Sequence, residues 1–381
     1  MKILVITGSR ADWGLLAPLL VRLREDPRFN LVLVVTGQHL EPGDQLSLAE
    51  ISKAGFNIDA KIDMLLEEND TTKTLTAAMG RATSGVGHVI NQINPNMMLV
   101  LGDRYEILAA VSAALLCNLP VAHLCGGDVT EGAIDDSIRH AITKLSSLHF
   151  VTTDVAARRV AQMGEDIANI HMVGSTGLDQ IRETPLLTAD QLWADLALEP
   201  PQKSFLITFH PATLSKDIAE QCDELITALK YFPDATLIIT GSNADLGAHI
   251  VDQRMNVFAA NRANAVFRTS LGPQLFYTSL SVVDVVIGNS SSGLYEAPSF
   301  DVPTVNIGDR QAGRTRATSV IDCDNDHPSI SSAIENALSL SCKGTLNPYG
   351  DGHSAQRIVE LLLKVAAPAT LIQKTFVDLA Q

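Results

Sequence analysis

The segment His123–Leu145, HLCGGDVTEGAIDDSIRHAITKL, gathers four carboxylates, an adjacent pair of glycines, one arginine and two histidines directly after an apolar run. Asp135 and Asp136 stand where the acids of a helix's first turn belong, because the N-terminal end of the helix dipole favours negative charge. Asp128 and Glu131 lie in the Gly-rich approach, where that reason does not apply. Several acids near one site point to acid–base work at a sugar carbon, as paired carboxylates do in glycoside chemistry. LGDRYE adds Asp103 and Arg104, and GSRADWG adds Arg10. An Asp–Arg pair is either a structural ion pair or a carboxylate kept charged, fit to act as a base or to stabilise developing positive charge.

A second set of residues suits phosphate. GNSSSGLYEAP (288–298) places Ser290, Ser291 and Ser292 at the start of a helix. Free N–H groups there, with serine hydroxyls beside them, attract anions; the plain alternative is a serine N-cap. Glu296 is then either a surface acid or an acceptor for ribose hydroxyls. GDRQAGRTRATSV carries Arg310, Arg314 and Arg316. An arginine fork donates two parallel hydrogen bonds to diphosphate, whereas a solvated loop would spend them on surface ion pairs. In TFHPAT, His210 follows a strand that Pro211 ends, so it faces whatever the strand ends surround.

The elements that must position these residues are legible as apolar runs. KILVIT, LVLVVT, MMLVL, PVAHL and LHFVT precede SFLITF, ATLIIT, VVDVVI and PTVNI. Such runs mark strands buried on both faces, and their alternation with helical segments predicts doubly wound parallel sheets. The rhythm breaks at GLDQIRETPLLTADQLWADLALEPPQK, around Pro185, Pro200 and Pro201, placing a boundary between Thr176 and Gln202. The expected division is 1–180 for a first α/β domain with the acids, 200–352 for a second, and 353–381 for a tail with one striped helix. Ligands of open parallel sheets lie beyond the carboxyl ends of the strands. If the two domains face each other, the informative loops line one substrate cleft.

Bulk properties narrow the classes. A chain of 381 residues suits two domains. A net charge of −15 excludes general nucleic-acid binding, so cations for an anionic ligand must be local. Five cysteines without a CxxC pair read as reduced thiols in a cytoplasm, with no zinc cluster and no metal site. MKILVITGSR enters a strand at once, with no signal peptide, and the apolar stretch Ile107–Cys117 is too short for a bilayer. No GxGxxG fingerprint occurs.

TGSRADWG, VTGQHL, LGDRYE, GGDVTEGAIDDSIRHAITKL, TFHPAT, GSNADLG and GNSSSGLYEAPSFDVPTVNIGDRQAGR occur in this order over nearly the whole chain. In these segments the chain resembles the UDP-N-acetylglucosamine 2-epimerase family. The likeness is greatest to its hydrolysing branch, which makes N-acetylmannosamine for sialic acid synthesis. The resemblance implies two Rossmann-like domains of the GT-B type, with UDP held mainly by the second and the last helix packing back on the first. It implies substrate contacts at His210, Asn243, Ser290, Ser291, Glu296 and Arg310, basic groups near the diphosphate and sugar at Arg10 and Arg104, and catalytic acids at Asp103 and Asp135. Relatives carry a catalytic Glu before the Gly-Gly pair; here Cys125 stands there, which leaves Asp128 or Glu131 to supply that acid.

The reaction so implied releases UDP first. The cationic centre left at C1 makes the C2 proton removable by a carboxylate, and water then adds to the resulting glycal from the opposite C2 face. No nicotinamide or other cofactor is needed, because no hydride moves. The expected substrate is UDP-N-acetylglucosamine. The alternatives are UDP-2,4-diacetamido-2,4,6-trideoxyglucose of legionaminic acid synthesis, a non-hydrolysing epimerase and a glycosyltransferase of the same fold. Relatives imply a homodimer.

Overall fold

The computed structural model describes residues 1–41, 45–64, 72–130, 134–211, 218–242 and 247–378. Glu131 and Asn243 lie outside the described residues. The chain divides into two compact units, one of residues 1–180 with 349–381 and one of residues 181–348.

The first unit is built on β1 (Lys2–Thr7), β2 (Asn30–Thr36), β3 (Ala60–Ile62), β4 (Met97–Leu101), β5 (Val121–Leu124), β6 (Leu148–Val151) and β7 (Ile170–Met172). Their spatial order is β3-β2-β1-β4-β5-β6-β7, with every pairing parallel. The apolar run of β1 serves two faces at once. Ile3 and Val5 pack with Leu16, Leu19 and Leu20 of the helix Arg10–Glu25. Leu4 and Ile6 pack with Ile107, Ala110 and Val111 of the helix Tyr105–Leu116. Helices on both sides leave no place for a polar face, which is why the strand does not alternate.

The chain's last helix, Ser354–Lys364, belongs to this unit. It sets Ala355, Ile358 and Leu362 into the same core as Leu16 and Leu20. The first backbone N–H groups of that helix, at Ser354 and Ala355, donate to the Asp179 carboxylate at 3.0 and 2.9 Å. A residue 175 positions away thus satisfies a helix start, which local sequence cannot announce.

The second unit holds β8 (Ser204–Thr208), β9 (Thr236–Thr240), β10 (Ala265–Arg268), β11 (Val285–Gly288), β12 (Thr304–Ile307) and β13 (Val320–Cys323). Their order is β10-β9-β8-β11-β12-β13, again parallel throughout. The Pro-flanked segment before β8 contains the helix Ala189–Leu196, started by a Thr188–Gln191 capping box. Its Leu192, Trp193 and Leu196 are buried against Leu206 and Ile238 of this sheet.

Strand order reverses between β1 and β4 in one sheet and between β8 and β11 in the other. Connections leave such a point in opposite directions and open a crevice at the carboxyl ends. Asp103 and Arg104 follow β4; His210 follows β8 and Ser290 follows β11.

Candidate active site

In the first unit the acids are organised by Arg139, from the helix Ile134–Leu145. Its side chain is 6% exposed and forms an ion pair with Asp103. The same guanidinium donates to the Asp128 carbonyl at 2.9 Å, the Thr130 hydroxyl at 2.9 Å and Asp136 at 3.4 Å. Sequence adjacency pointed to an Asp103–Arg104 pair. Instead Asp103 takes Arg139, and Arg104 takes Glu106 through its Nε at 2.5 Å. Arg139 was read only as a neighbour of the acids; its reach is set by the helix face and does not show in spacing.

Asp135 and Asp136 stand in the first turn of that helix, where the dipole favours them. The Asp136 carboxylate is spent within the protein, since it accepts from the Thr130 N–H of the preceding loop at 2.8 Å as well as from Arg139. Asp135 differs. Partial burial raises its carboxyl above the ordinary range, the nearby Asp103 charge adds to this, and Arg104 and Arg139 oppose it.

Cys125 has a left-handed backbone, φ 64°. Burial drives its thiol well above the usual range, helped by Asp128 and Asp103, so a thiolate base is excluded there. Asp128 is near enough for its charge to act on that thiol, and its Oδ1 accepts from the Thr152 hydroxyl at 2.8 Å. Arg10 begins the helix Arg10–Glu25 and forms an exposed ion pair with Glu50. Two buried acids that sequence reading passed over also belong here, Asp12 and Glu106. Burial pushes the Asp12 carboxyl up to about 6; Ser9 and Arg104 oppose that, and Glu106 adds to it.

In the second unit a cavity of about 400 Å³ opens beside β8 and β9, lined among others by Thr208, His210, Ser242, Tyr277, Ser290 and Glu296. Asn289, 2% exposed, fixes its rim. Its side chain accepts from the His210 N–H at 2.7 Å and donates to the His210 carbonyl at 2.8 Å, tying the loop after β11 to the loop after β8. Sequence reading missed Asn289; a buried amide directly after a strand was its signal. The Asn289 carbonyl accepts from Gln311 at 2.8 Å and Arg310 at 3.2 Å.

The serine run starts a single helical turn, Ser292–Tyr295. Ser291 is its N-cap but makes no side-chain capping bond, and the Ser290 hydroxyl instead accepts from the Ser292 hydroxyl at 3.0 Å. Burial raises the Glu296 carboxyl to about 7 against the pull of Arg314, and its Oε2 has no hydrogen-bond partner among the described residues. Of the three arginines, Arg310 reaches the serine loop, Arg314 stacks on Tyr295, and Arg316 is held in an ion pair with Asp322. Among the described residues no group of three or more His, Cys, Asp or Glu side chains is placed to hold a metal ion. Nor is any helix there long and apolar enough to cross a membrane.

Two doubly wound parallel sheets, one in each unit, place the chain among the GT-B-like folds of the nucleotide-sugar epimerases. The solved UDP-GlcNAc 2-epimerase of Neisseria meningitidis, bound to UDP-GlcNAc, shares that fold. It has a TM-score of 0.79 at 21% identity, over 96% of this chain and 100% of that one. The chain belongs to the UDP-N-acetylglucosamine 2-epimerase family, whose pattern it matches over residues 21–363. Its relatives place it on the hydrolysing branch. The GDP/UDP-N,N'-diacetylbacillosamine 2-epimerase (hydrolyzing) of Campylobacter jejuni is 36% identical over 99% of both chains. The UDP-N,N'-diacetylbacillosamine 2-epimerase (hydrolyzing) of Legionella pneumophila is 33% identical over 98% of both. The polysialic acid biosynthesis protein P7 of Escherichia coli is 33% identical over 100% of this chain and 98% of its own.

Proposed function

We propose that this hydrolysing UDP-sugar 2-epimerase acts on UDP-2,4-diacetamido-2,4,6-trideoxyglucose, which is UDP-N,N'-diacetylbacillosamine, and releases UDP with the free manno-configured sugar. The observation that carries the chemistry is the Arg139-organised acid cluster, with Asp135 holding its proton more tightly than an ordinary carboxyl. The substrate choice is supported by the two hydrolysing relatives that share the name diacetylbacillosamine.

In this reading the second unit binds the nucleotide. Glu296 accepts from ribose hydroxyls, and Arg310, the Ser290–Ser292 segment and His210 surround the diphosphate. Fixed donors aimed at the charge growing on the departing phosphate lower the barrier to C1–O cleavage. On the first unit, Asp103 stabilises the cationic sugar and Asp135 exchanges the proton at C2. Asp128 stands in for the acid that Cys125 cannot provide. Elimination breaks the C1–O and C2–H bonds to give UDP and a glycal, and water adds across the double bond with the new C2 proton on the opposite face.

UDP-N-acetylglucosamine is the second reading. It is favoured by the Neisseria meningitidis relative named UDP-N-acetylglucosamine 2-epimerase, 30% identical over 99% of both chains. UDP release measured with each sugar separates the two. A kcat/KM at least tenfold higher for the diacetamido substrate is expected; a preference for UDP-N-acetylglucosamine would overturn the substrate assignment.

A further inference from the structure

Glu106 is a buried acid with no part in the steps above. Its side chain is 0% exposed, and its Oε1 accepts from Arg104 Nε at 2.5 Å. Its Oε2 has no hydrogen-bond partner among the described residues. The space for this carboxylate is made by glycines on two other loops. A Cβ on Gly8, after β1, would come within 2.5 Å of Oε1, and one on Gly37, after β2, within 3.1 Å. Asp12 lies close enough to feel both Arg104 and Glu106. Three strand-end loops thus converge on one ion pair at the switch point of the sheet.

A buried acid with a bare oxygen costs stability, and a neutral side chain of the same shape would pack as well. What the pair gives in return is direction. The Arg104 side chain is 29% exposed, and among the described residues neither of its Nη groups makes a hydrogen bond. A guanidinium pinned at Nε keeps one free edge, and the Nη edge pairs well with phosphate oxygens. We propose that Glu106 is a positioning residue, which holds Arg104 by its Nε so that the two Nη groups face the anionic leaving group of the substrate. This deepens the functional reading and rests on it.

The test is a double-mutant cycle of Glu106→Gln, Arg104→Gln and the double variant, with UDP release as readout. It is joined to NMR of arginine-labelled protein that follows the Arg104 Nε–H. Glu106→Gln is expected to lower kcat/KM about tenfold to a hundredfold, the cost of misplacing a transition-state contact. It should add nothing once Arg104 is already Gln. The Arg104 Nε–H should be downfield and slow to exchange, and should lose both properties in Glu106→Gln. Full activity in Glu106→Gln, or losses that add in the double variant, would overturn the proposal. If the wild type releases no UDP from either sugar, the functional reading fails. The NMR arm then still decides, because an Nε–H unchanged by Glu106→Gln removes the contact itself. Should Glu106→Gln not fold, Glu106→Asp, which keeps the charge but withdraws it, takes its place with the same expectations.

Discussion

At the scale of single residues, the two candidate centres use burial to hold carboxyl groups away from their solution behaviour. Glu296 shows it most plainly, because its carboxyl is raised to about 7, chiefly by burial. If Glu296 accepts from ribose hydroxyls, binding requires its charged form and costs a deprotonation below about pH 7. UDP affinity should therefore rise as pH goes from about 6 to 8 and then level off. UDP's own phosphate titrates in part of this range, so the quantity to read is the wild-type pH dependence of Kd minus that of Glu296→Gln, by calorimetry. A difference that rises with pH is expected; parallel curves would take Glu296 out of the ribose site. Residue types in the loops after strands marked Asp103, Ser290 and Glu296 as candidates in the sequence, whereas only the family resemblance singled out Asp135 from the ordinary acids of a helix start. Pairing was not legible. Asp103 with Arg139 and His210 with Asn289 are separated by 36 and 79 positions, and only the sheet order brings them together.

At the scale of elements, nine of the strands were readable as apolar runs, and the four that were not are instructive. They are β3, β7, β10 and β13, the outer strands of the two sheets. Each is three or four residues long and partly exposed, so none has the two-faced burial that writes a continuous apolar run. The helix Ile134–Leu145 is the element on which the acid cluster depends, and it is held at both ends. Arg139 grips the cluster near its start. At its end the Lys374 ammonium donates to the carbonyls of Lys144 and Ser146, at 2.7 and 2.6 Å, and pairs with the buried Glu165 at 2.7 Å. A cation there also complements the helix dipole. Arg139→Lys removes a fork that a single ammonium cannot replace. It should lower kcat more than tenfold with little change in UDP affinity, whereas Lys374→Met should lower Tm by a few degrees and leave most of kcat. Equal effects of the two on kcat would contradict this division between the two ends.

At the scale of the molecule, the proposed reading gives the sugar chemistry to the acids of one unit and nucleotide binding to the pocket of the other. On that reading, cleavage at C1 and inversion at C2 occur in one catalysed sequence with release of free sugar. Proton NMR of the reaction in D₂O, with UDP-2,4-diacetamido-2,4,6-trideoxyglucose as substrate, tests it most directly. Free UDP and a free manno-configured sugar carrying deuterium at C2 are expected. Intact UDP-sugar epimers, or a released sugar that keeps its original C2 configuration and proton, would contradict it.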